Sequence, residues 1–156
     1  IMNNTHEWCA QGIEPQIDNL QGIPVEIIPW WMEKLNRFEI INIYNVEDMQ
    51  LAAAVEKEIL ESQSIRSVLV VPMAFAGKLT GFIGFDSVED NKIWKEEQIS
   101  ILIVLAEIIS NALVRHQREE EIRYINFHDS LTRLYNRAFL EEEMKRLDTE
   151  RQLPIM

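Results

Sequence analysis

From Val68 to Phe75 neither the odd nor the even positions carry a polar side chain. Val68, Leu69, Val70, Val71, Met73, Ala74 and Phe75 are broken only by Pro72. A strand with one wet face alternates apolar and polar residues, so this run predicts a strand covered on both sides. Covering both faces of one sheet takes helices above and below it, which makes three layers. A second strand is predicted over 78–86, joined to the first (67–76) through Ala76, Gly77 and Lys78 as a β-hairpin with a glycine at its turn. Gly81 and Gly84 weaken that second strand but allow another backbone or a ligand to come close.

The other elements follow from spacing. Residues 3–10 and 38–46 are rich in β-branched and aromatic types and read as strands. Gly12, Pro15, Gly22, Pro24 and Pro29 punctuate the stretch between them, and Pro29 can open a short helix over Trp30–Leu35. Asn45–Ser62 reads as an amphipathic helix capped by Asn45 or Asp48. Leu51, Val55, Ile59 and Leu60 face inward, and Glu56, Lys57, Glu58 and Glu61 face water. Residues 95 to about 125 form a long helix, apolar nearly all round from Ile99 to Leu113 and polar beyond.

The chain has 156 residues and a net charge of −11. Such acidity repels phosphate, and with no dense basic patch it argues against nucleic acid as a partner. Residues 1–114 carry 7 basic and 17 acidic side chains, whereas 115–156 carry 8 and 9. A domain boundary is therefore expected near Val114. The longest apolar run, Val68 to Ala76, is far shorter than the roughly 20 residues that cross a bilayer, so no membrane span is expected. The lone Cys9 has no partner for an intrachain disulfide, which fits a cytoplasmic location. Ile1 is not an initiator residue, and further chain is expected upstream.

His6-Glu7-Trp8, Pro29-Trp30, the strand Ile40 to Tyr44, the amphipathic helix, Ile65-Arg66-Ser67, Val71-Pro72-Met73, Gly81 to Asp86 and Trp94 before a long helix follow one order. That order resembles a GAF domain over about residues 3–116. The resemblance implies an α+β fold: a GAF-like (PAS-like) central antiparallel sheet with helices on both faces, plus a long C-terminal connector helix. The family's opening helix and first strand have no counterpart, and Arg37-Phe38 stand where GlyGlu is common.

A second resemblance begins at His128. Asp129, Leu131, Thr132, Leu134, Asn136, Arg137 and Phe139 are spaced as in the opening segment of GGDEF domains, the diguanylate cyclases, with Arg133 where that family usually has Gly. The residues that family uses for chemistry come later than Met156. The expected organisation is a GAF sensor domain over 1–114, a helical connector over 115–127 and the start of a GGDEF domain over 128–156. Asp129, Leu131, Thr132, Asn136 and Arg137 mark that start.

Candidate sites are few. GAF domains bind ligands between sheet and short helices, which implies a small-molecule pocket walled by Trp8, Trp30, Trp31, Phe38, Tyr44 and Phe82; each is read first as core and second as pocket wall. Cys9 lacks the cationic neighbours of a reactive thiol and reads as a buried structural cysteine rather than a bilin attachment point or oxidant sensor. The AsnLysXxxPheAsp pattern of cyclic-nucleotide-binding GAF domains is not found. His6, His116 and His128 lie too far apart, without matching Cys or carboxylates, to form a metal site. The runs 119–121 and 141–143 read as solvated helix faces. No catalytic residue is assigned.

The two resemblances together imply one expectation of function: a regulatory, sensory module of a bacterial signal-transduction protein that controls cyclic-di-GMP synthesis through a helical linker. This chain is expected to be no enzyme and to hold no cofactor, while the parent cyclase would use GTP and Mg. The apolar surface of Ile99–Leu113 exceeds what one sheet face covers, so a parallel homodimer through the long helix is expected, although residues 115–121 break the heptad pattern. The alternatives are a degenerate GGDEF receptor or scaffold, or a dimerisation module without ligand. A GAF-type reductase would need more cysteines than one.

Overall fold

The computed structural model describes residues 1–129 and 131–147. The described residues fall into two compact units, one over Ile1–Ser110 and one that begins at Asn111. The first holds helix α1 (Pro29–Asn36), strand β1 (Ile41–Ile43), helix α2 (Ala54–Ser62) and strands β2 (Ser67–Phe75) and β3 (Lys78–Ser87). Helix α3 (Glu96–Phe127) begins in the first unit and ends in the second, which also holds α4 (Arg137–Leu147).

The three strands form an antiparallel sheet in the order β1-β2-β3. Central β2 explains its own sequence, because its two faces feed two separate cores. Val68 and Val70 join Trp31, Leu35, Ile41, Val46 and Leu60 on the side of α1 and α2. Leu69, Val71 and Met73 join Trp94, Leu102 and Ala106 on the side of α3. The lack of alternation is thus two apolar faces, each under a helical layer.

The hairpin closes through Ala76 (φ 49°) and Gly77 (φ 74°), two left-handed residues in a two-residue turn whose twist matches its strands. Gly84 permits the close approach anticipated from the sequence: a Cβ there would sit 2.7 Å from the Leu69 carbonyl oxygen. At Gly81 a Cβ would meet open space.

Several sequence expectations are corrected. Residues 3–10 form no strand; Met2 makes a single bridge to Ile23, and the Asn4 N–H reaches the Leu20 carbonyl. The segment is pinned instead by side chains, with the Glu7 carboxylate accepting the Gln16 N–H and the Asn3 side chain accepting the Gly22 N–H. The strand expected over 38–46 shortens to β1, because Phe38 turns left-handed (φ 59°) after α1 and Asn45 already caps the next turn. The left-handed residue is Phe38 rather than Arg37, so Phe38 occupies the position that suits glycine.

The helix expected over 45–62 is three pieces: 3-10 turns at Val46–Asp48 and Leu51–Ala53, then α2. Met49 and Gln50 are extended and break the run. The break buries Val46 and Ala53 and leaves Leu51 95% exposed. It also rotates α2 from the expected phase, so that Glu56, read as solvent-facing, is 3% exposed.

Among the described residues α3 is long and apolar enough to cross a membrane by length and composition, which corrects the expectation of no such segment: Glu107 interrupts its apolar run. Its side carrying Leu102, Ala106 and Ser110 is buried, and Leu102 and Ala106 pack with β2.

Candidate functional site

The first four positions of a helix have no N–H partner within it, and in α1 these are Pro29, Trp30, Trp31 and Met32. Pro29 has none to satisfy, and the Met32 N–H donates to the Ile28 carbonyl. The other two, from Trp30 and Trp31, donate to the buried Glu56 carboxylate at 2.9 and 3.2 Å. Glu56 therefore caps α1 from another helix, and its negative charge also meets the positive end of the α1 dipole. Sequence reasoning missed this residue. The available signal was a Pro-initiated helix preceded by Ile28, which has no capping side chain.

Held this way, α1 presents Trp30 and Lys34 to a cleft of about 270 Å³. Ile40 to Ile43, Asn45, Asp48, Met49, Gln50 and Ala53 also line it. Lys34 Nζ sits 5.3 Å from the centre of the Trp30 ring and donates to Glu39 at 3.0 Å. The Asn45 amide donates to Asp48 at 2.9 Å. The cleft lining thus combines apolar side chains with one cation, one carboxylate and side-chain amides.

Of the six residues read as pocket walls, three come together. Trp30 and Trp31 lie 6.3 Å apart, and Trp31 meets Phe82 edge-on at 6.2 Å. Only Trp30 lines the cleft; Trp31 belongs to the core and Phe82 packs against it. Trp8, Phe38 and Tyr44 lie elsewhere, Trp8 being 86% and Phe38 45% exposed.

Outside the cleft, Cys9 donates to Glu7 at 3.4 Å. Desolvation and the neighbouring carboxylate push its thiol up, away from thiolate chemistry. Burial, followed by repulsion from Glu7, also raises Asp86. No group of three or more His, Cys, Asp or Glu side chains at metal-binding spacing occurs among the described residues.

In the second unit, Asp129, Leu131, Thr132, Asn136 and Arg137 build a clasp. One oxygen of Asp129 accepts the Leu131 N–H (3.2 Å), the Thr132 N–H (2.8 Å) and the Thr132 hydroxyl (2.9 Å). Those bonds hold its carboxyl below the usual carboxylate range, the Thr132 N–H contributing most. Asn136 donates through its amide to the Asn126 carbonyl at 2.7 Å and caps α4 by accepting the Phe139 N–H at 3.1 Å. Arg137 pairs with Glu141 at 2.7 Å. His128 lies between Tyr124 (3.9 Å) and Tyr135 (4.5 Å), and Tyr135 stacks on Phe139. Arg133, where the resemblance puts Gly, has φ 59°.

Residues 7–113 match the GAF domain family model. The chain belongs to the GAF domain family. It is 31% identical over 128 residues to the methanogenesis regulatory histidine kinase FilI of Methanothrix harundinacea, covering 78% of this chain and 14% of that protein. It is 32% identical over 80 residues to an uncharacterized protein of Mycobacterium tuberculosis, covering 51% of this chain and 13% of that one. The chain thus spans about one seventh of the curated relatives it matches. Among solved structures it is similar to the photoproduct state of GAF3 from Slr1393 of Synechocystis sp. PCC6803, with a TM-score of 0.62 and 21% identity over 75% of this chain and 76% of that one. It is also similar to the blue-light absorbing form of the Thermosynechococcus elongatus PixJ GAF domain, with a TM-score of 0.60 and 24% identity over 77% and 71%. At these identities the likeness speaks for the fold alone.

Proposed function

We propose that this chain is a cytoplasmic sensory module that takes a small molecule at the Trp30–Lys34 cleft and controls a diguanylate cyclase through α3. The domain runs over 1–114, the connector over 115–127, and a GGDEF domain begins at 128. One observation carries the cyclase reading. Asp129, Thr132 and Asn136, three of the residues that carry the GGDEF resemblance, spend their side chains on one turn and one cap. Such a joint suits the entrance to a further domain. Ligand binding biases output only through unequal affinity for two arrangements, and a continuous helix can carry that bias.

The apolar surface of α3 supports a parallel homodimer. Ile101, Val104, Leu105 and Ile108 are exposed, and at 100° per residue they lie roughly opposite Leu102, Ala106 and Ser110. Spacings of three and four residues form the seam of a two-helix coiled coil. Light scattering of the chain at micromolar concentration should give a dimer, and Val104→Glu together with Ile108→Glu should give a monomer. A monomeric parent chain would refute the seam.

A second reading rests on the similarity to FilI, a histidine kinase. In that case the output is phosphoryl transfer from ATP. The intact parent protein separates the two. Conversion of GTP to cyclic-di-GMP in the presence of Mg supports the cyclase, and labelling of a histidine by ATP without GTP turnover overturns it.

A further inference from the structure

Ser110 is the last buried residue of α3, fully enclosed despite its hydroxyl. It lies over an irregularity in the sheet. Met73 pairs with Gly81 and Ala74 with Leu79, so the ladder skips Thr80. A skipped residue is a bulge, which re-aims a side chain that regular pairing would point elsewhere. Here the re-aimed hydroxyl meets the helix: Thr80 Oγ1 and Ser110 Oγ lie 3.0 Å apart.

Each hydroxyl also reaches a strand carbonyl. Thr80 donates to Met73 at 3.0 Å, and Ser110 donates to Ala74 at 3.0 Å. Two hydroxyls carry two protons, yet they make three contacts. Either both donate outward in this way, or a donor chain through the hydroxyl pair takes one of two forms. In one, Thr80 donates to Ser110 and Ser110 to Ala74; in the other, Ser110 donates to Thr80 and Thr80 to Met73. Each form leaves a different carbonyl without a hydroxyl donor, and the two carbonyls belong to the adjacent residues where the register shifts.

We propose that the Thr80–Ser110 pair is a two-position latch through which the β2–β3 hairpin sets where α3 leaves the sheet. A small change in hairpin twist lengthens one carbonyl contact and shortens the other, and the proton arrangement follows. The small side chains of Ala106 and Ser110 let the helix backbone approach β2 closely enough for such short hydroxyls to reach. The latch does not depend on whether the output is a cyclase or a kinase.

Native-state amide hydrogen exchange on the full chain tests it. Ser110→Ala and the near-isosteric Thr80→Val should each speed exchange of the α3 amides over 106–114 by about tenfold, while the β2 amides over 68–71 keep their protection. Combining the two should add little to either alone, because both remove the same device. Thr80→Ser, which keeps the hydroxyl, should restore protection. Equal acceleration across β2 and α3 would mean that the pair supplies only global stability and would overturn the latch. So would an α3 that is indifferent to Thr80→Val.

Discussion

Two carboxylates in this chain perform one task in opposite surroundings. Glu56 accepts the Trp30 and Trp31 N–H groups at 3% exposure, deep in the first unit. Asp129 accepts the Leu131 and Thr132 N–H groups on the surface of the second. In water the orphaned N–H groups would find another acceptor, whereas in the core they would not. A cap's importance therefore follows from what replaces it when it is removed, rather than from its own bond lengths.

The largest effect is therefore expected at Glu56. Glu56→Ala should cost about 3 kcal/mol in urea unfolding, since it strands the buried Trp31 N–H and the part-buried Trp30 N–H and opens a cavity. Glu56→Gln keeps one acceptor oxygen and should cost about half as much. Because α1 carries Trp30 and Lys34, both variants should also loosen the cleft, seen as faster exchange of the α1 amides. A Glu56→Ala protein of unchanged stability would show that α1 is fastened elsewhere.

Asp129 should respond to acid rather than to denaturant. Its folded carboxyl titrates below its ordinary value. The clasp's contribution is thus fully present above the unfolded pKa and fades as pH falls through the lower folded one. Monitored by NMR, the Leu131 and Thr132 amides should shift together over that acid range, and Asp129→Asn should abolish the shift. Asp86 has the reverse sign. Its folded pKa is raised, so its effect on stability is favourable below the unfolded value and is lost as pH rises through the folded one.

The same contrast shows what the sequence could reveal. The unbroken apolar run of β2 announced a sheet covered on both faces, and the two separate cores on Val68/Val70 and Leu69/Val71/Met73 are that announcement in space. The clasp residues stood out only through the GGDEF resemblance, although the bonds of Asp129 run to neighbours within three positions. Glu56 was illegible because its partners lie 25 and 26 residues away. Periodicity assigned it to water, since no local rule states that a carboxylate belongs inside. The strand expected at 3–10 failed for a related reason: β-propensity names a suitable surface, and a strand exists only where another pairs with it. Of the aromatic residues, Trp30 reached the cleft through the cap that orients α1, a tertiary effect that composition does not carry.

The smallest effects test backbone strain in each unit. Phe38 and Arg133 both hold φ 59°, a conformation that costs a residue with a Cβ roughly 1 kcal/mol and glycine little. Glycine also loses more freedom on folding, so the net gain from substitution is smaller than the strain relieved. Phe38→Gly should raise the stability of the first unit by about 0.5 kcal/mol, reduced by the apolar contact of a half-exposed ring. Arg133→Gly surrenders no buried contact, and its gain should appear only as slower exchange of the Leu134 and Asn136 amides. If Phe38→Gly destabilises while Arg133→Gly stabilises, the Phe38 ring contributes more by packing than its backbone costs. The left-handed position after α1 would then be held by a side chain rather than merely tolerated.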